Sequence, residues 1–149
     1  MLINLIKKSK MWAKSGAGFT LIELIVVVAI IAVLSSIVVT QFSSAQMKSR
    51  DARRIEDVVQ IKKALSLYQV DNTQFPVETV VVIITGVDSF STTLIGSGAM
   101  SAVPTDPRHP VTSYTYQSNS AGSDYDLTFC LEGNTIPNYT QGCGNTISP

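Results

Sequence analysis

The chain has 149 residues, 45% of them hydrophobic, with 11 basic and 11 acidic side chains; that is room for one small domain and an appendage. The balance hides an asymmetry: residues 1–18 carry Lys7, Lys8, Lys10 and Lys14 and no acid, whereas residues 72–149 carry Arg108 alone against Glu78, Asp88, Asp106, Asp124, Asp126 and Glu132, a net −5. An acidic C-terminal half argues against nucleic acid as a partner, because phosphate recognition needs clustered Lys and Arg.

Every residue from Leu24 to Leu34 is apolar, and after Ser35-Ser36 the run resumes as Ile37, Val38 and Val39. Phe19 to Thr40 is therefore long enough for a membrane-spanning helix, which needs about 20 residues. The β-branched content would suit a strand, but a lone strand cannot satisfy its backbone in lipid. The leader lysines have no acidic neighbours, whereas the basic residues after Lys48 are mixed with Asp51, Glu56 and Asp57. The positive-inside rule then predicts a cytoplasmic N-terminus and an external C-terminal half.

A secretory signal peptide cut after Ala45 is the rival reading. Two features disfavour it. Glu23 lies within the apolar segment, where a charge costs about 2.5–3.5 kcal/mol on insertion, and helical patterning continues through the proposed cut. An intramembrane carboxylate has either a functional partner or, near one end of the span, a path to water.

Gly18-Phe19-Thr20-Leu21-Ile22-Glu23-Leu24, between a short lysine-bearing leader and an apolar run, resembles the class III signal of type IV pilins and type II secretion pseudopilins. The resemblance implies cleavage after Gly18 by a prepilin peptidase on the cytoplasmic side and N-methylation of the new terminus, Phe19. It also implies polymerisation of the mature chain through its N-terminal helix. Glu23 would then meet the α-amino group of a neighbouring Phe19, a pair suited to fixing register between subunits.

No Gly or Pro occurs between Phe19 and Phe75, and Ile55, Val58, Ile61, Leu65 and Tyr68 recur at steps of three and four. That spacing predicts one apolar face of an amphipathic helix. A helix from Phe19 to about Asp71 would span roughly 80 Å. Asp71-Asn72, with Pro76 beyond, supplies the stop. Arg53 and Asp57 form an i,i+4 pair expected on the solvated side. Lys48, Arg50, Arg53 and Arg54 read as a solvated basic face beside the membrane, or as a site for lipid headgroups or a neighbour's acidic head.

Residues 72–149 read as turns and short elements. Val80–Thr85 is a strand or a short buried helix, and periodicity leaves both open. A short helix is expected within Ser89–Ser101, ending near Pro104. Tyr114–Gln117 and Tyr125–Leu131 alternate as strands, joined by a hairpin loop over Ser118–Asp124. The predicted fold is α+β: one long helix laid on a small antiparallel sheet. Four segments follow: a cleaved basic leader (1–18), a transmembrane and polymerisation helix (19–41), its amphipathic half (42–71) and an extracytoplasmic head (72–149).

Cys130 and Cys143 read as a disulfide closing a C-terminal loop in an oxidising compartment, or as two free thiols in the cytosol; the export signal favours the former. The pair resembles the disulfide-closed loop of many pilins, and Val103-Pro104-Thr105-Asp106-Pro107 the loop before their sheet. Some major pseudopilins carry calcium in the late loops. The weak candidates here are Asp124 and Asp126, with Asp106 and Asn119 as further oxygen donors. The dense carboxylate set that six to eight ligands require is missing, so no metal or other cofactor is expected. His109, the only histidine, reads as an exposed loop residue, and no nucleophile–base or phosphate-cradling motif is present.

The function expected is that of a structural subunit, not an enzyme. The alternative is a DNA-uptake or adhesive minor pilin-like protein on the same stalk. The partners implied are further copies of the chain, prepilin peptidase, the inner-membrane assembly platform of a pilus or secretion machine, and membrane lipid before assembly. The expected path runs from a single-pass precursor in the cytoplasmic membrane to an extracellular or cell-surface filament.

Overall fold

A computed structural model describes residues 18–149, with residues 37–40 in backbone alone. The leader read over 1–18 thus lies outside the described residues except for Gly18. The elements are α1 (Leu21–Asn72), β1 (Val82–Ile83), α2 (Ser89–Gly96), β2 (Thr115–Ser118), β3 (Tyr125–Leu131) and β4 (Gly142–Ile147). The fold is α+β.

Helix α1 runs for 52 residues, as an uninterrupted stretch without Gly or Pro permits. Its end is built locally. The Asn72 side-chain amide donates to the Tyr68 carbonyl at 2.9 Å, and Thr73 N–H donates to the Gln69 carbonyl at 2.7 Å. Thr73 takes φ 63°, the left-handed position that glycine usually fills after a helix.

The chain divides into two units between Val39 and Thr40. In the first, the Leu, Ile and Val side chains from Leu21 to Leu34 are each 50–75% exposed. Nothing among the described residues of that unit buries them, and the helix is long and apolar enough to cross a membrane. The second unit contains one hydrophobic core. Val58, Ile61, Ala64 and Leu65 of α1 pack in it with Phe90 and Leu94 of α2 and with Tyr116, Leu127, Phe129 and Leu131 of the sheet.

The four-stranded sheet has the order β1-β2-β3-β4, with every neighbouring pair antiparallel. Alternation assigns its faces. Tyr116, Tyr125, Leu127 and Phe129 point into the core, while Gln117 and Asp126 face outward and are exposed. Aromatic rings fill the inner face: Phe90 stacks on Tyr116 at 4.1 Å between centroids, and Phe75 meets Tyr125 edge-on at 4.7 Å.

Within Val80–Thr85 the strand alternative holds, but only for Val82 and Ile83, which pair with Tyr116 and Thr115. The short helix lies where it was expected. Asp88 caps it, its Oδ1 accepting from Ser91 N–H at 2.9 Å. Strand β4 was not anticipated. Gly142-Cys143-Gly144-Asn145 has none of the β-branched alternation that marks a strand; pairing with β3 supplies what local propensity lacks.

Candidate functional site

Two constellations carry chemistry, one in each unit. In the first, the N-terminal motif begins α1. Thr20 backbone N–H donates to Glu23 Oε2 at 2.8 Å, Thr20 Oγ1 donates to the same oxygen at 2.9 Å, and Glu23 N–H donates to Thr20 Oγ1 at 3.3 Å. This is a reciprocal capping box, satisfying two backbone donors that a helix start leaves open. The expectations for Glu23 were a partner in another subunit or a path to water. Its capping role within the chain was missed, although Thr-x-x-Glu before an apolar run is the signature of that motif. Phe19 is 90% exposed and lines a shallow apolar recess with Ile22, Glu23, Val26 and Val27. Among the described residues a Cβ on Gly18 would meet nothing within 4 Å.

In the second unit an ionic cluster joins α1 to the head. Arg54 is fully buried, as are the Asp51 and Asp106 side chains. The Arg54 guanidinium forks onto Asp106 (Nε to Oδ2 2.8 Å, Nη2 to Oδ1 3.1 Å) and reaches Asp51 and Glu132 through Nη1, both at 2.8 Å. Arg50 adds a second fork onto Glu132 at 2.8 and 2.6 Å, and Arg108 approaches the same carboxylate at 3.3 Å. Asp51 also accepts the backbone N–H groups of Glu132 and Gly133, each at 2.9 Å. Asp106 accepts from Arg108 N–H and from the Thr112 hydroxyl, each at 2.7 Å. Three guanidiniums thus meet three carboxylates. The loop after α2 and the turn after β3 are both tied to one helical turn of α1.

The electrostatics follow from this pairing. Burial alone would raise the Asp106 carboxyl, but hydrogen bonds from Arg54, Thr112 and Arg108 outweigh it and hold the group below its ordinary value. Glu132 is held down at about 2, chiefly by Arg50 and then by Arg54. Asp57 shifts the other way. Burial raises it even though the buried Tyr114 hydroxyl donates to it at 2.9 Å.

For Arg50 and Arg54 this corrects the reading of the basic cluster as a solvated face or a site for lipid or a neighbouring head, whereas Lys48 and Arg53 are exposed as expected. Arg50 and Arg54 are neutralised within the chain. Asp57, expected on the solvated side, is buried, and Arg53 lies 3.9 Å from it. Only tertiary structure could reveal this, because the acids concerned lie 52 and 78 residues from Arg54 in sequence.

The chain matches the family model described as type II secretion system (T2SS), protein G, over residues 38–137. It belongs to the type II secretion system protein G family. A second model, the prokaryotic N-terminal methylation motif, matches residues 14–39, which include the capping box. Among curated relatives, the type II secretion system core protein G of Dickeya chrysanthemi is 32% identical over 93 residues, covering 62% of this chain and 51% of the relative. The Escherichia coli (strain K12) protein of the same description is 39% identical over 59 residues, covering 40% of this chain and 41% of the relative. The matched stretches thus span about half of these relatives or less. No solved structure matches.

The remaining site residues of this protein G family member lie in the head. Cys130 on β3 and Cys143 on β4 form a disulfide beside a break in register between Phe129 and Leu131. Asp124, Asp126 and Asn119 line one open recess with Gln117, Ser118 and Tyr125. Asp124 accepts from Tyr125 N–H, Asp126 from the Ser148 hydroxyl, and Asn119 closes a turn onto Ser123. Asp106, the third acidic candidate, is instead taken up by Arg54. Among the described residues no group of three or more His, Cys, Asp and Glu side chains is placed to hold a metal ion. His109 is exposed and contacts the Ser113 hydroxyl at 3.0 Å.

Proposed function

We propose that this chain is a major pseudopilin: a structural, non-catalytic subunit that polymerises through its N-terminal helix into the filament of a type II secretion machine. The observation carrying this reading is the continuity of two features. The methylation motif over 14–39 contains the start of a helix whose apolar side chains from Leu21 to Leu34 nothing among the described residues of its unit covers. Such a segment needs lipid before assembly and neighbouring helices afterwards. The precursor is single-pass with its N-terminus in the cytoplasm and its head outside. Prepilin peptidase cuts after Gly18, Phe19 is N-methylated, and an inner-membrane platform assembles the product. The segments are the leader (1–18), the polymerisation helix (19–41), its amphipathic half (42–71) and the head (72–149).

In the filament, Glu23 pairs with the α-amino group of a neighbour's Phe19. Both Thr20 bonds to that carboxylate fall on Oε2, and an ionised carboxylate offers about four acceptor sites over its two oxygens. The cap and the intersubunit pair are therefore compatible. The test is mass spectrometry of the mature chain combined with Glu23→Val. The mature chain should begin at N-methylated Phe19. The variant should insert and be cut, yet leave filaments reduced in the sheared fraction, since removing one member of a buried pair costs about 3–5 kcal/mol. A mature chain beginning near Gln46 would sink the processing scheme. Normal filament yield from Glu23→Val would sink the charge pair.

A further inference from the structure

We propose that the heads of two copies dock face to back, with the exposed stripe of α1 on one copy covering the β1 edge of the next. This rests on the polymerisation reading above and adds a second, head-level contact to it.

The first surface lies on α1. Val59, Leu67 and Val70 are 40%, 49% and 77% exposed, and Lys63 sits among them, also exposed. At about 100° per residue they form one stripe, centred roughly opposite the face that buries Val58, Ile61 and Leu65. The second surface is the β1 edge. Val80, Val81, Ile83 and Val87 are 74%, 54%, 53% and 82% exposed. Ile83 pairs with Thr115 in the register, so it lies on the outer face of the sheet, and alternation adds Val81. Elsewhere that face carries Thr115, Gln117, Asp126, Thr128 and Thr146. The apolar patch is confined to one edge, and Thr79–Thr85 has no charge, Pro or Gly to guard it.

Geometry and charge name the occupant. The α1 stripe faces away from the sheet and the patch faces away from α1, so one copy cannot bring its own two surfaces together. A second copy can, through a heterologous contact of the kind that runs along an open filament when the rotation between copies does not close into a ring. The charges agree. Between Val59 and Val70 the exposed charge on the stripe is Lys63, with Glu56 one turn before Val59 and Lys62 turned onto the Ser148 carbonyl at 3.0 Å. By contrast, residues 72–105 carry Glu78 and Asp88 and no base, and the outer face of the sheet carries Asp126.

The experiment places a photo-crosslinking amino acid at position 81 or 83 of the full-length chain in producing cells, with filament yield measured by shearing in the same culture. The expected result is a crosslinked dimer in the filament fraction whose linked peptide spans residues 59–70 of the second copy. Lys63→Glu should lower that crosslink at least fivefold with membrane insertion unchanged. Filaments present with the crosslink absent, or mapped to another surface or another protein, would overturn the docking and leave polymerisation standing. Absence of filaments from the unsubstituted chain would overturn the polymerisation reading and this contact with it.

Discussion

Replacing Arg54 with Met tests the ionic anchor most directly, because the substitution preserves apolar volume while removing the one cation shared by Asp51, Asp106 and Glu132. The three carboxylates do not suffer equally. Glu132 keeps Arg50 and Arg108, and Asp51 keeps two backbone donors. Asp106 keeps only Thr112 and one backbone N–H and is left as a buried, unneutralised charge. Removing one partner from such a pair costs about 3–5 kcal/mol, against a total of roughly 5–15 kcal/mol for a domain. The melting temperature of the head should fall by more than about 10 °C. Arg54→Lys should lie between, since it keeps the charge but loses the two-pronged contact with Asp106. The assay is urea and thermal unfolding of the full chain in detergent, followed by tyrosine near-ultraviolet circular dichroism. A loss below about 1 kcal/mol for Arg54→Met would mean that the cluster is solvated and the burial argument wrong.

Acid should weaken the same anchor. Glu132 titrates at about 2 in the fold against an ordinary 4.5, so its contribution is complete above about pH 4.5 and fades as pH falls toward 2. Asp106 acts in the same direction, while the raised Asp57 partly offsets them. Urea midpoints measured from pH 7 to 3 should fall, with a shallower slope in Glu132→Gln. Gly122→Ala should cost about 1–3 kcal/mol: Gly122 has φ +61°, and an added Cβ would lie 2.8 Å from the Phe75 carbonyl oxygen; a wild-type urea midpoint would refute this. Cys130→Ser should cost about 2–5 kcal/mol. Alkylation of the denatured, unreduced wild type should label neither cysteine, and labelling of both would exclude the bridge.

How much of this was legible differs by residue. The long helix, its apolar face at Val58, Ile61 and Leu65 and its end at Asn72 follow from spacing and from the absence of Gly and Pro. The strands around Tyr116 and Leu127 follow from alternation. Such patterns are local, so sequence carries them. Strand β4 escaped because its glycines and Asn145 have no strand preference of their own. The capping box at Thr20 and Glu23 is legible as a four-residue Thr-x-x-Glu pattern, but a carboxylate inside an apolar run points first to a partner in another subunit or a path to water.

By itself the sequence determined the membrane-length helix, the signal motif around Gly18 and Phe19, the α+β class and the charge asymmetry, because each depends on neighbours within a few turns of chain. Tertiary structure alone decided which charges are free. Asp106 and Glu132 reach Arg54 only when the loop after α2 and the turn after β3 fold back over α1. A guanidinium that composition places on a solvated face becomes a buried joint. The reason is physical: the sign of a charge is written in the chain, but its solvation depends on what long-range folding brings beside it.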